Sequence, residues 1–487
     1  MTGIRALAVV VTALVALASA PSPAAAWSPP GVFPPEAVML AAEPVGTEAS
    51  AASAAPAAPA ASRASDTSVV PAATAIVPGS VNRSSLRLIA TYTVKVRLGI
   101  AARTIRGWTQ ISARNDSGAG IDRIELNTVM PRLGRMRLGA VTVDGTPVDA
   151  RVDDQTIIVP LGGVLPAGAS TTVRVGFGAT LRSSLTGSSW LFTRVNGISN
   201  LYRWIPWVSR ATPFDRPNHG DPFVTPVSPA VRVAFITDVP VDIATTGRRV
   251  SVSPDGLTQV FEAEQVRDVT TAIARSYRSV SATVGDTTVR VYYRPGAPAS
   301  SMLSAAKRAL TKLEARLGPY PYSVLKIVQS AGGYGMEGPG VVWIPTGVST
   351  TNLAYLVTHE VAHQWFYGLV GNDQARNPFA DEAMTDFVAR HVLGLRRGSR
   401  CATGVLDRSI YAYSEACYYE RIYIQGGNLI DDARRRMGST AFWAAVRDYL
   451  DDNRWGLSTT PRLLEALDDG TPFDLAAWWA PRFPRYD

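Results

Sequence analysis

Residues Leu353–Arg390 read LAYLVTHEVAHQWFYGLVGNDQARNPFADEAMTDFVAR and contain His359 and His363, two of only four histidines in the chain. Four positions apart in a helix, both rings leave one face and can reach one metal ion. Glu360, beside the first histidine, is suited to take a proton from a water at that ion. H-E-x-x-H alone also fits a helix face that carries a hydrogen-bonded histidine, so a third ligand is needed. Asn377-Pro378 breaks the chain further on, which lets a second helix start near Asp381 and bring Glu382 back to the histidines. Three protein ligands with a position left for water is the usual arrangement of a catalytic zinc. Asp386 follows Glu382 by four residues and shares its helical face. That predicts a hydrogen bond to a ligating histidine, the alternative being a solvated carboxylate.

Working outward, the pattern before this stretch is strand-like. TYTVKVRLGI (Thr91–Ile100), TTVRVGFGATL (Thr171–Leu181) and AVRVAFITDVPVDIATTG (Ala230–Gly247) alternate apolar and polar residues, with Asn115-Asp116, Asp144-Gly145 and Asp255-Gly256 as turn signals between runs. YRWIPWVSRATPFDRP (Tyr202–Pro217) is too aromatic and Pro-rich for an ordinary strand. TTVRVYYRPG (Thr287–Gly296) and YSVLKIVQS (Tyr322–Ser330) read as strands on either side of a helix, Ser301–Gly318. Helical spacing then covers Asn352–Gly368, Asp381–Leu395, Glu420–Met437, Ala441–Asp452 and Pro461–Leu467. The reading is α+β: an antiparallel β-domain over residues 81–285, then a mainly helical domain with a small sheet over 286–487.

The chain of 487 residues is long enough for such a pair of domains. Met1–Ala26 reads as a signal peptide: Arg5, an apolar run from Ala6 to Ala20, then Ala24-Ala25-Ala26 as the cut. An uncleaved anchor is the alternative. Trp27–Ser80 is rich in Ala, Pro and Ser and reads as a disordered linker. No stable membrane insertion is expected after signal cleavage. The net charge is +8, without a clustered basic run interleaved with aromatics, so nucleic acid is not an expected partner. Cys401 and Cys417 are the only cysteines. In an exported chain they are most simply one disulfide, closing a loop between the Glu382 helix and a tyrosine-rich segment, with two free thiols as the alternative.

His359-Glu360-x-x-His363, 18 residues and Glu382 resembles the zinc signature of the gluzincin aminopeptidases, peptidase family M1, which includes aminopeptidase N. HQWF from His363 is similar too. GYGMEGPG (Gly333–Gly340) resembles the family's Gly-x-Met-Glu-Asn motif, and Tyr423-Ile424-Gln425-Gly426 its Tyr-x-x-Gly. The resemblance implies a saddle-like β-domain followed by a thermolysin-like catalytic domain. It further implies one Zn²⁺ per chain on His359, His363 and Glu382, with Glu360 as base. Gly335, Met336 and Glu337 would bind the substrate backbone and its free ammonium, and Tyr423 would hold the oxyanion. Gly338 stands for the family's Asn, which changes a backbone contact. Two further departures are that neither the β-domain glutamine of the amine site nor the large C-terminal helical domain is matched. These two imply an open cleft and looser amine recognition. The expected function is a secreted or envelope-exposed zinc aminopeptidase acting on peptides. A metalloendopeptidase and a peptide-binding surface module with a vestigial site are the alternatives.

Overall fold

The structure is a computed structural model that describes residues 40–41, 75–212 and 223–486. The expected signal peptide, nearly all of the expected linker and the end of the Tyr202–Pro217 stretch lie outside the described residues.

Strict alternation over Leu88–Gly99 makes one long strand, with Leu88, Ala90, Tyr92, Val94, Val96 and Leu98 all facing inward. It runs three residues further back than the sequence pattern indicated. It lies at the centre of an eight-stranded sheet in the order 248–252, 258–266, 228–237, 88–99, 104–115, 170–180, 137–143 and 146–147. All neighbours in it are antiparallel except one. Ser228–Thr237 runs parallel to Leu88–Gly99, which its long return through two smaller sheets permits. The run from Ala230 to Gly247, read as one alternating stretch, is two strands, Ser228–Thr237 and Asp242–Thr245, in different sheets. A turn at Asp238–Val241 separates them. From Tyr202 to Thr212 the only strand is Trp207–Val208, whose Trp207 stacks on Tyr92 at 3.9 Å between ring centroids.

The helical part begins with a four-stranded sheet in the order Arg278–Val284, Thr287–Tyr293, Val324–Ser330, Val341–Pro345. The hairpin 278–293 straddles the boundary expected at 285/286. Ala299–Leu317 crosses over to join the parallel strands and buries Met302, Ala305, Ala306, Ala309, Leu310, Leu313 and Leu317, a single stripe at helical spacing. Truncating a residue as buried as Leu310 to Ala costs about 2–5 kcal/mol. One apolar core fills the β-rich part and a second the helical part, with Tyr322 packed against both.

Three buried or half-buried cations tie the two parts together. Arg210 makes a bidentate pair with Asp373, at 2.7 and 2.6 Å. Arg267 donates to the carbonyls of Thr225, Gly368, Leu369 and Gly456. Lys326 donates to the carbonyls of Thr245 and Gly247. The first two grip the segment just after the H-E-x-x-H helix, so the β-rich part sets the path of residues 368–374.

Candidate active site

The histidine helix spans Thr350–Ala362 and starts at Ser349, whose hydroxyl accepts from the Asn352 amide. It is buried along most of its length, so His359 (4% exposed) and His363 (1%) emerge inside the protein. After His363 the helix does not continue regularly to Gly368 as its spacing indicated. Gln364–Leu369 is a wide π-type turn with a break in helical geometry at Phe366. A second wide turn, Phe379–Ala383, precedes the regular helix Met384–Leu393, and a third spans Glu420–Gln425. Such turns carry one residue more per turn and re-aim side chains, and they recur at functional sites. Here they carry Glu382 and Tyr423.

The three expected ligands converge. His359 Nε2 and His363 Nε2 are 3.3 Å apart, and Glu382 Oε2 lies 3.5 and 3.4 Å from them. Two imidazole nitrogens and a carboxylate oxygen at roughly 2.0–2.1 Å from a tetrahedral zinc would be about 3.3–3.4 Å from one another. The triangle therefore fits that ion. Oε2 of Glu382 is buried without a hydrogen-bond partner among the described residues, as expected of an atom aimed at a cation. Burial would raise the Glu382 carboxyl, but the His363 and His359 imidazoles outweigh it and hold the carboxyl well below its ordinary range. His363 is held above its ordinary range: burial opposes its charge, and Asp381, Glu382 and Glu337 more than compensate.

Glu360 is 3% exposed, and its Oε2 has no hydrogen-bond partner among the described residues. Burial raises its carboxyl well above the usual value, so it is suited to take up a proton. Gly335 passes directly over it. A Cβ at 335 would lie 2.1 Å from Glu360 Oε1, so any side chain there would displace the Glu360 carboxylate. Met336 pairs with Trp343 on the sheet edge through both backbone groups, at 3.3 and 2.8 Å. By strand alternation the backbone groups of Gly335 and Glu337 then face away from that partner. Glu337 is 6% exposed. At Gly338, the departure from the resembled motif, the space for a side chain is filled by Thr270, whose Oγ1 would lie 2.3 Å from a Cβ.

Tyr423 is 1% exposed and stacks on His359 at 5.7 Å between ring centroids. Gly426 lets its helix approach this closely, since a Cβ there would lie 2.7 Å from the Cβ of Ala383. Two other tyrosines of the same segment have their hydroxyls engaged elsewhere, Tyr413 with Val405 and Arg408, and Tyr419 with Arg397. Cys401 and Cys417 form a disulfide. With the Arg400–Glu420 ion pair and the Gln425 amide on the Ser399, Cys401 and Ala402 oxygens, it pins the strap leading to Tyr423.

The expected role of Asp386 is corrected. It accepts from the Tyr355 hydroxyl and pairs with Arg390 at 2.6 and 2.7 Å instead of bonding a histidine. The wide turn around Glu382 breaks the regular four-residue register, and the arginine one turn on claims the carboxylate. Asp381 takes the role, with Oδ1 2.8 Å from His363 Nδ1. Sequence reading missed Asp381 and also Gln374. Asp381 adjoins Glu382, but a regular helix would have turned it to another face. Gln374 carried no local signal.

No protein-family profile matches the sequence, and no curated protein matches it. Solved structures do. An M1 zinc metallopeptidase from Deinococcus radiodurans superposes with a TM-score of 0.64 at 18% identity, over 85% of this chain and 97% of that one. A point mutant of that enzyme, bound to a Tyr-Ser-Ala substrate, superposes with a TM-score of 0.62 at 16% identity, over 79% and 91%. A two-domain M1 zinc metallopeptidase mutant bound to L-arginine superposes with a TM-score of 0.61 at 18% identity, over 85% and 96%. The fold, a β-rich N-terminal region and a helical C-terminal part, is that of these two-domain peptidases. Among the described residues no helix is long and apolar enough to cross a membrane.

Proposed function

We propose that this protein is a zinc-dependent aminopeptidase of an extracytoplasmic compartment, organised as a β-domain from residue 81 and a catalytic domain whose sheet begins at Arg278. One observation carries the reading. The 3.3–3.5 Å triangle of His359, His363 and Glu382 lies beside a buried carboxylate with a raised proton affinity, beneath a glycine-lined strand edge. The likeness to M1 zinc metallopeptidases that were solved with an amino acid and with a peptide supports it.

When bound, zinc supplies a Lewis acid that polarises the scissile carbonyl and acidifies a water. Glu360 removes a proton from the attacking water and hands it to the leaving amine. The Tyr423 hydroxyl donates to the oxyanion that develops on the carbonyl oxygen. The edge at Gly335 and Glu337 receives the substrate backbone as an added strand. The Glu337 carboxylate, which already accepts from Gln374, offers the substrate's N-terminal ammonium a charge-assisted contact. The cut then falls one residue in. The disulfide supports an oxidising compartment, consistent with the signal-like Met1–Ala26.

The test is a panel of aminoacyl amides and their N-acetylated twins, assayed before and after chelation, with Glu360→Gln as the control. The expected result is chelator-sensitive hydrolysis of free-amine substrates only, with at least about a 100-fold loss in Glu360→Gln. Equal cleavage of both substrate sets converts the reading to an endopeptidase. No hydrolysis by zinc-loaded protein leaves a peptide-binding module.

A further inference from the structure

Gln374 is 5% exposed and carries one amide between two buried acids. Its Nε2 donates to Glu337 Oε1 at 3.1 Å and to Asp381 Oδ2 at 2.6 Å. Its Oε1 accepts from Arg203 Nη2 at 3.2 Å. The orientation of the amide follows from its neighbours. A guanidinium only donates, so a flipped amide would turn its NH2 against Arg203. Arg203 in turn faces Asp268 at 3.8 Å and donates to Thr225 at 3.0 Å. On the other side, Asp381 passes the connection to His363 Nδ1. One neutral side chain thus joins the carboxylate of the amine site to the carboxylate that orients a zinc ligand, and anchors both to a cation of the β-rich part.

We propose that Gln374 is a positioning residue that couples recognition of the substrate's N-terminus to the ligating histidine. The inference rests on the aminopeptidase reading and deepens it. An amide suits this position for an electrostatic reason. It donates to one oxygen on each acid and brings no charge of its own, so it neutralises neither. A lysine would cancel the charge that attracts the substrate. A third carboxylate would repel the other two. Arg203 polarises the amide through its oxygen and strengthens both donated bonds. The grip of Arg210 and Arg267 on residues 368–374 keeps the amide in register. Occupancy of Glu337 by an ammonium and the orientation of His363 are therefore linked through one rigid group.

The experiment compares the full-length parent with Gln374→Met, which keeps the bulk and removes all three polar contacts. Gln374→Glu keeps an oxygen for Arg203, removes the two donors and adds a carboxylate that repels both acids. Zinc affinity is read by competition with a chromophoric chelator. Binding of a tripeptide with a free or acetylated N-terminus is read by calorimetry in the Glu360→Gln background, and melting is followed by circular dichroism. Both variants should weaken zinc by about 10- to 100-fold, the usual cost of losing a partner behind a metal ligand. Both should weaken the free-amine tripeptide by roughly 10-fold and leave the acetylated one as in the parent. A residue that only packs would lower the melting temperature and spare both affinities, and that pattern overturns the proposal. If Gln374→Met does not fold, Gln374→Glu decides by the same readouts. A parent that binds zinc and cuts aminoacyl amides while both variants match it sinks the coupling alone. A parent without chelator-sensitive hydrolysis sinks the aminopeptidase reading and this inference with it.

Discussion

The two ends of the candidate site differ in how far apart their parts lie in the chain. At the metal end, His363 and its partner Asp381 are 18 positions apart, and Glu382 is the next residue. At the Glu337 end, Gln374 reaches a carboxylate 37 positions away and an arginine 171 positions away. The metal end is a local construction on two neighbouring helices. The Glu337 end is a meeting of the sheet edge, the segment after the histidine helix and the β-rich part. A local construction depends on helix geometry and a few side chains, while the other depends on the docking of the two parts. Substitutions should separate the two accordingly.

The sharpest separation comes from Glu382→Ala. It should abolish zinc retention after dialysis and all chelator-sensitive hydrolysis, read by elemental analysis and a reporter assay. Full metal content in that variant would break the assignment of the metal end.

Asp386→Ala tests the corrected role. It strands Arg390 as a buried, uncompensated charge and should cost about 3–5 kcal/mol of stability in urea unfolding. Zinc content should hold under native conditions. Zinc loss from a protein that melts like the parent would return Asp386 to the metal.

Tyr423→Phe removes one donor and little volume. A drop in kcat of about 100-fold, with KM, zinc content and melting close to the parent, is the expected outcome. An unchanged kcat would move the oxyanion role to another tyrosine, with Tyr418 next in line.

The smallest effect concerns the docking that the Glu337 end depends on. Burial, with Arg290 nearby, pulls the Lys326 ammonium down to about 7 from an ordinary 10.5. Between those values the unfolded chain binds a proton that the folded one does not, so stability from this group rises with pH from about 7 to 10.5. Below 7 both states are charged, and the fold carries the full cost. The slope is at most about 1.4 kcal/mol per pH unit. Lys326→Met should flatten this part of the stability profile, measured as melting midpoints at several pH values. A profile identical to the parent's would assign the pH dependence to other groups.

His359, His363, Glu382 and Glu360 were legible from residue identity and spacing, because a helix repeats every 3.6 residues whatever surrounds it. The long strand Leu88–Gly99 and the helix Ala299–Leu317 were legible for the same reason, since one face of each is buried and the pattern records it. Asp386 was misread because a wide turn is one residue out of helical register and nothing in residues 379–383 announces it. The disulfide followed from a count of two cysteines.

What only the tertiary structure decided is which buried acid meets which donor. Asp381 stands one residue before Glu382 and Asp386 four residues after it, and their chemistry is the same. Arg390 and Tyr355 claim one, and His363 and Gln374 claim the other. Gln374 itself is an ordinary polar residue in the sequence. It becomes a junction because Arg210 and Arg267 hold its segment against the β-rich part, where a buried donor between two carboxylates is worth far more than on an open surface.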